Sequence, residues 1–173
     1  MCDKLILVGY MGAGKSTIGL LLAQKTAKNF LDLDQIITKN EGKSIPEIFA
    51  ANGELYFRKL EHQLLKEIVE TQSNFVLSLG GGTPCYANNH LVYQRADCSA
   101  IYLKASIETL LHRVAQEPEK RPLLMHIADE SLEDFIAKQL FERSYYYNQA
   151  NLVIAVDHLS PEQITTAISQ QLA

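Results

Sequence analysis

The stretch Gly9-Tyr-Met-Gly-Ala-Gly-Lys-Ser-Thr17 follows the short apolar run Leu5 to Val8 and precedes a helical pattern from Ile18 to Lys28. The pattern GxxxxGK[ST] between a strand and a helix is typical of a phosphate-binding P-loop. Glycines let consecutive backbone N–H groups turn inward around a phosphate chain, and the helix start adds unpaired N–H groups. The sequence therefore predicts a nucleoside-triphosphate site.

Six residues of this loop are predicted to hold the triphosphate. The lysine adds a mobile charge on the outer phosphates, and the serine hydroxyl is a ligand type that Mg²⁺ accepts. The predicted residues are Gly12, Ala13, Gly14, Lys15, Ser16 and Thr17.

Short apolar runs alternate with amphipathic segments along the whole chain, which favours an α/β fold with a parallel sheet and helices on both faces. Helix starts are indicated at four serines, Ser44, Ser106, Ser131 and Ser160. The predicted strands are Lys4–Val8, Phe30–Leu33, Phe75–Leu79, Ser99–Leu103 and Leu152–Val156.

Size and charge limit the classes of protein that the chain can belong to. Its 173 residues and 19.4 kDa suit one domain. The net charge is −4, and the basic residues are scattered. Nucleic acid and anionic membranes are therefore not expected partners. The absence of a leader pattern, of a long apolar run and of paired cysteine motifs predicts an intracellular, cytoplasmic protein with reduced thiols.

The apolar run Phe75–Leu79 ends in Gly80, Gly81 and Gly82. Many P-loop proteins carry a magnesium-supporting aspartate at the end of a later strand, and a glycine triplet supplies backbone donors instead. We therefore expect the triplet to bind an incoming phosphate or substrate oxygen. A simple tight turn is the alternative.

Asp32 and Asp34 flank Leu33 at the end of the second predicted strand. Residues i and i+2 of a strand point the same way, so both carboxylates are expected to face one cleft. One would support Mg²⁺ through water, and the other would accept a proton from a substrate hydroxyl. The alternative for Asp34 is that it only caps the following helix.

Three arginines are candidates for binding anions. Arg58 lies between Glu54 and Glu61 at helical spacing, which suits either a surface salt-bridge row or an arginine held ready for a substrate carboxylate. Arg121 lies in a polar, proline-containing stretch suited to a lid, from which it could reach a transferring phosphoryl group. Arg143 is either a second anion contact or a solvated helix-end cation.

Taken together, these features resemble the shikimate kinase family, and the match covers nearly the full length of the chain. The motifs that carry it are Gly9–Thr17, Leu31–Asp34, Gly53–Glu61, Ser78–Gly82, Arg121–Leu124 and Arg143. The resemblance implies ATP-dependent phosphorylation of the 3-hydroxyl of shikimate, on the way to chorismate and the aromatic amino acids. It also implies a nucleoside-monophosphate-kinase-like three-layer sandwich with a five-stranded sheet of order 2-3-1-4-5, usually in a monomer.

The same resemblance implies roles for individual residues. Asp34 would bind ring hydroxyls and act as the base, Arg58 and Arg143 would hold the carboxylate, and Ser16 with Asp32 would hold Mg²⁺. Lys15 and Arg121 would stabilise the moving phosphoryl group. The glycines Gly80–Gly82 would contact shikimate, and Arg113 would stack on adenine. One domain, residues 1–173, would contain a shikimate-binding segment at about 34–61 and a lid at about 113–128.

Two segments depart from the family pattern, Thr83–Cys85 after the glycines and residues 144–151 after Arg143. No role is carried over to either segment. Two other functions remain open at the level of sequence. One is a small P-loop kinase for gluconate or a nucleotide, and the other is a non-catalytic ATP-binding regulatory module.

Overall fold

The computed structural model describes residues 2–115 and 131–172. A parallel sheet lies at the centre of this part of the chain, and its strands are ordered β2-β3-β1-β4-β5. This order and the α/β class confirm the expectation from the sequence. The strands are β1 Lys4–Val8, β2 Asn29–Asp32, β3 Phe75–Ser78, β4 Cys98–Lys104 and β5 Leu152–Ala155.

Helices cover both faces of the sheet. They are α1 Lys15–Thr26, α2 Leu33–Glu41, α3 Ile45–Thr71, α4 Ile107–Ala115, α5 Leu132–Tyr147 and α6 Pro161–Leu172. Two short 3₁₀ turns, η1 Thr83–Cys85 and η2 Asn89–Gln94, follow β3.

The central strand β1 divides the core into two parts. Leu5 and Leu7 pack in one cluster with α1 and α6, whereas Ile6 and Val8 pack in another with α2 and α3. Successive side chains of a strand point to opposite faces, so these clusters are the two interfaces of a three-layer sandwich. All five residues of β1 are buried, as expected for a strand covered on both faces.

The serines predicted to begin helices do so through hydrogen bonds. Ser106 Oγ accepts from Thr109 N at 3.2 Å, and Ser131 Oγ accepts from Asp134 N at 3.1 Å. At Ser160 the bonds run both ways to Gln163, at 3.3 and 2.8 Å. These caps satisfy N–H groups that have no partner within the helix.

Helix α3 contains one residue with a non-helical backbone, Gly53, at φ 78° and ψ 171°. A residue with a side chain rarely adopts this φ, whereas glycine adopts it readily. The helix therefore consists of a short part, 45–52, and a longer part after the break that buries Phe57, Leu65 and Ile68. Among residues 2–115 and 131–172, no helix is long and apolar enough to cross a membrane.

Candidate active site

The P-loop connects β1 to α1, and three of its glycines, Gly9, Gly12 and Gly14, have a positive φ. Gly9 has φ 144°, and a Cβ there would lie 2.7 Å from the Leu103 carbonyl oxygen. Gly14, at φ 96°, is the N-cap of α1. The first turn of α1 therefore begins at the end of the loop, with its N–H groups directed towards the site where a phosphate would lie.

Two cations lie against this loop. Lys15 Nζ donates to the carbonyl oxygens of Gly9 and Tyr10, at 2.8 and 3.0 Å. From α4, Arg113 Nη1 donates to the carbonyl oxygens of Gly12 and Ala13, at 3.1 and 3.2 Å. The predicted stacking of Arg113 on adenine stays a prediction, and in this structure its guanidinium holds the loop backbone.

The two aspartates that the sequence placed on a strand are arranged differently. Strand β2 ends at Asp32, and Leu33 already begins α2, so the argument from strand periodicity was wrong for this pair. Asp32 is the N-cap, and its Oδ1 accepts from Gln35 N at 3.3 Å. Asp34 therefore lies in the first turn of the helix and is not its cap.

Asp32 and Ser16, which are predicted to hold the metal, lie next to each other. Ser16 Oγ donates to Asp32 Oδ2 at 2.9 Å, which brings a hydroxyl and a carboxylate oxygen together at the start of α1. Mg²⁺ prefers oxygen ligands and usually takes only one or two from protein, with waters and phosphates completing its shell. The donor set therefore fits this ion. Within the described residues, no group of three or more His, Cys, Asp or Glu side chains is arranged to hold a metal.

Asp34 is a half-buried carboxylate beside the glycine triplet. A Cβ on Gly80 would lie 3.0 Å from Asp34 Oδ1. Burial, followed by the charges of Asp32 and Glu61, raises the pKa of Asp34 to about 6 against the opposing effect of Lys15 and Arg58. The carboxylate is therefore more basic than an ordinary aspartate.

Arg58 lies on α3 with a fixed guanidinium. Its Nη1 donates to Glu61 Oε2 at 3.0 Å, and its Nε and Nη2 donate to Glu54 Oε1 at 3.3 and 3.4 Å. Glu61 is only 1% exposed. A surface salt-bridge row is therefore the wrong interpretation, because one member is a buried carboxylate that holds the arginine in place.

The glycine triplet brings the acceptor-side groups and the P-loop together. A Cβ on Gly82 would lie 2.9 Å from Arg58 Nη2, and one on Gly81 would lie 3.4 Å from Arg143 Nη1 and 3.4 Å from Met11 N. None of the three glycines has a positive φ. Glycine is therefore required here for space, so that two guanidinium groups, a carboxylate and the loop backbone can approach one turn.

Three residues near the triplet were not predicted from the sequence. Thr83 Oγ1 donates to Glu61 Oε1, and Tyr147 Oη donates to the Gly81 carbonyl oxygen at 2.6 Å. Tyr86 lies over the Arg58 guanidinium, with 4.1 Å from its ring centroid to Cζ. Thr83 and Tyr147 lie in the two segments that depart from the family pattern, whereas nothing in the sequence marked Tyr86. Arg121 and most of the predicted lid lie outside the described residues.

Comparisons with known proteins agree on one family. The family profile named shikimate kinase matches residues 11–173. Shikimate kinases from Flavobacterium johnsoniae and Flavobacterium psychrophilum are 49% and 46% identical to this chain, over 99% and 98% of both sequences.

Solved structures give the same result. The shikimate kinase of Bacteroides thetaiotaomicron superimposes with a TM-score of 0.92 at 34% identity, covering 99% of both chains. The shikimate kinase of Acinetobacter baumannii in complex with shikimate gives a TM-score of 0.88 at 31% identity, covering 99% of this chain and 93% of the other. With this fold, this site and these relatives, the chain belongs to the shikimate kinase family.

Proposed function

We propose that this protein transfers the γ-phosphoryl group of ATP to the 3-hydroxyl of shikimate, giving shikimate 3-phosphate and ADP. This reaction serves chorismate and aromatic amino-acid biosynthesis. One observation carries the proposal beyond family membership, namely that a Cβ on Gly81 would lie 3.4 Å from both the Met11 backbone nitrogen of the P-loop and Arg143 Nη1. A phosphate site and an anion site therefore share one turn, as a kinase for a small acidic acceptor requires.

On the donor side, residues 12–17 would bind the phosphates of ATP. Backbone N–H groups and Lys15 would balance the charge that develops on the transferring group. Ser16 would hold Mg²⁺ directly and Asp32 would do so through water. When bound, the ion would neutralise negative charge on the phosphates of ATP.

On the acceptor side, Asp34 would accept the proton of the 3-hydroxyl. A base works best when its pKa lies near the working pH, and the environment that raises the pKa of Asp34 to about 6 moves it in that direction. The backbone of Gly80–Gly82 would orient the acceptor beside this carboxylate.

Arg58 lies next to Gly82, and Arg143 lies next to Gly81. From these positions the two arginines would bind the carboxylate of shikimate. A planar guanidinium matches a carboxylate with two parallel hydrogen bonds, which orients the acid as well as attracting it. Orientation is the main requirement, because phosphoryl transfer asks the protein for little covalent chemistry.

Several expectations stay predictions. These are a single kinase domain over residues 1–173 with a shikimate-binding segment at about 34–61, a lid at about 113–128 with Arg121 acting from it, a monomeric state and a cytoplasmic location. The three cysteines, Cys2, Cys85 and Cys98, are free thiols, which is compatible with a reducing compartment.

The test is ADP release from Mg·ATP by the purified protein, without acceptor and then with shikimate, gluconate or AMP. We expect release that depends on shikimate. Release with gluconate or AMP alone would keep the phosphate site and overturn the assignment of Arg58 and Arg143. ATP binding without release with any acceptor would favour a regulatory module.

A further inference from the structure

The guanidinium of Arg58 is held on its edges and on its face. Glu54 and Glu61 accept from three of its five N–H groups. Within residues 2–115 and 131–172, two N–H groups therefore remain for a ligand carboxylate, on a guanidinium that lies next to Gly82. The arginine side chain is 17% exposed, so it is mostly packed but not closed off from solvent.

Two aromatic rings contact the guanidinium, Phe57 with its centroid 5.2 Å from Arg58 Cζ and, closer, Tyr86. Its ring centroid lies 4.1 Å from Arg58 Cζ, well inside the distance at which a cation is attracted to an aromatic face. Its hydroxyl donates to Glu54 Oε1 at 3.1 Å, the same oxygen that accepts from Arg58 Nε. Tyr86, Glu54 and Arg58 thus form a closed set of contacts from two different segments of the chain.

We propose that Tyr86 is a positioning residue that fixes the plane of the Arg58 guanidinium and thereby sets the preference of the site for a planar carboxylate. The inference deepens the proposed function and rests on it. An arginine held only at its edges can tilt about its last side-chain bonds, and a tilted fork loses one of its two bonds to a carboxylate. A ring on the face prevents this tilt.

The position of Tyr86 supports a role through Arg58. It follows η1, so the turn that begins at the glycine triplet also places the ring. The ring is 40% exposed. Its removal is therefore expected to leave the core intact, which makes the residue suitable for a functional test.

The experiment compares Tyr86→Leu with Tyr86→Phe, with Tyr145→Leu as the matched control on α5. Tyr145 is 64% exposed and packs on His90 and Tyr146. For each variant, steady-state kinetics, direct titration with shikimate and with ADP, and thermal unfolding are measured. The methyl ester of shikimate serves as a probe that keeps the ring and loses the carboxylate charge.

We expect Tyr86→Leu to raise the Kd and KM for shikimate about threefold to tenfold, with kcat and the Kd for ADP within twofold of the wild type. The preference for shikimate over its methyl ester should shrink by a similar factor. Tyr86→Phe keeps the ring and should restore the wild-type values to within twofold. Tyr145→Leu should resemble the wild type.

A double variant tests whether Tyr86 acts through the arginine. In an Arg58→Ala background, adding Tyr86→Leu should cause no further loss of shikimate affinity. A further loss would mean that Tyr86 contacts the acceptor itself and would overturn the inference. Equal weakening of ADP and shikimate binding, with a lower unfolding temperature, would reduce Tyr86 to a structural residue.

The proposed function and the inference fail in different ways. A wild-type protein that does not bind shikimate, or an Arg58→Ala variant with an unchanged Kd, would overturn the arginine assignment and the inference with it. If Arg58→Ala weakens shikimate binding and Tyr86→Leu does not, the inference alone is wrong.

Discussion

The Tyr147 hydroxyl donates a 2.6 Å hydrogen bond to the carbonyl oxygen of Gly81. This bond joins the end of α5 to the middle of the glycine triplet, 66 positions away in the sequence. The ring is fully buried and packs on Tyr102 with 5.1 Å between centroids. The orientation of the triplet therefore depends on a side chain that does not itself enter the cleft.

Removing this hydroxyl tests that dependence. Tyr147→Phe leaves the Gly81 carbonyl oxygen without this donor, so we expect a loss of about 1–2 kcal/mol in the free energy of unfolding and a severalfold higher KM for shikimate. Urea unfolding and steady-state kinetics measure both. Tyr102→Phe is the control, since it removes a hydroxyl from the neighbouring ring. Equal effects of the two variants would contradict a specific role for the Tyr147 bond.

The pH dependence of kcat/KM follows from Asp34. With a pKa of about 6, raised first by burial and then by Asp32 and Glu61, the base should lose activity as the pH falls through 6. Rates measured from pH 5 to 8 check this, and a rate that does not fall below about pH 6 would show that another group titrates. In the protein without Mg²⁺ and nucleotide, Asp32→Asn retains an N-cap and removes one charge that raises the pKa of Asp34, so that pKa, followed by NMR, should fall.

Asp34→Asn should be less active and more stable. Loss of a general base lowers turnover by about 10²–10⁴. The folded-state pKa of Asp34 lies above its unfolded value, so its stabilising contribution is complete below about pH 3.8 and is lost as the pH rises through about 6. At pH 8 the ionised carboxylate therefore costs stability that an amide does not.

The stability gain has an upper limit of about 3 kcal/mol from the pKa difference, and solvent screening of this half-buried group reduces it to about 1–2 kcal/mol. Urea unfolding of both proteins at pH 8 and pH 5 measures it. The gain should be smaller at pH 5. A variant that is less stable than the wild type at both values would argue that the ionised form makes favourable contacts.

Replacing either arginine should weaken the binding of shikimate and leave the binding of ATP unchanged. We expect Arg58→Ala and Arg143→Ala each to raise the KM for shikimate about tenfold to hundredfold, because a charged hydrogen bond contributes about 1.5–3 kcal/mol. The KM for ATP should stay within twofold. Arg95→Ala is the control, since Arg95 pairs with Asp97 on the surface. An unchanged KM for shikimate would remove the corresponding arginine from the site.

Gly82→Ala should act on Arg58 alone. The added Cβ would lie 2.9 Å from Nη2, so the guanidinium must move, and we expect at least a tenfold higher KM for shikimate with an intact fold. Gly42→Ala is the contrasting variant. Its Cβ meets nothing within 4 Å, but φ is +64°, so it should lower stability by about 1 kcal/mol and leave the KM unchanged. Similar kinetic effects of both variants would contradict this assignment.

The sequence predicted the features that depend on local pattern. The bounds of β1 agree because a motif follows it directly, and the helix-starting serines agree because capping is a contact over three residues. The end of β2 was wrong by one residue, since the cap position of Asp32 overrides the apolar run through Leu33. Local sequence patterns therefore predict the presence of a strand or helix more reliably than the residue at which it ends.

The contacts behind the site could not be predicted in this way. The bonds of Thr83 to Glu61 and of Tyr147 to Gly81 cross 22 and 66 positions, and the stacking of Tyr86 on Arg58 joins the segment after β3 to α3. Such pairs arise only when the sheet order brings separate segments together. A single sequence carries no pattern that pairs them.

The break at Gly53 divides α3 into two parts that are still joined by core packing. Arg58 and Glu61 follow the break, on the part of α3 that is anchored in the core by Phe57 and Leu65. Residues 45–52 precede it. Ile48 of that short part is fully buried in the same core cluster, and Phe49 packs on Phe57 with 4.7 Å between ring centroids. A shift of residues 45–52 would therefore be transmitted through Phe57 to the neighbouring Arg58, although the hydrogen-bonded helix is interrupted between them.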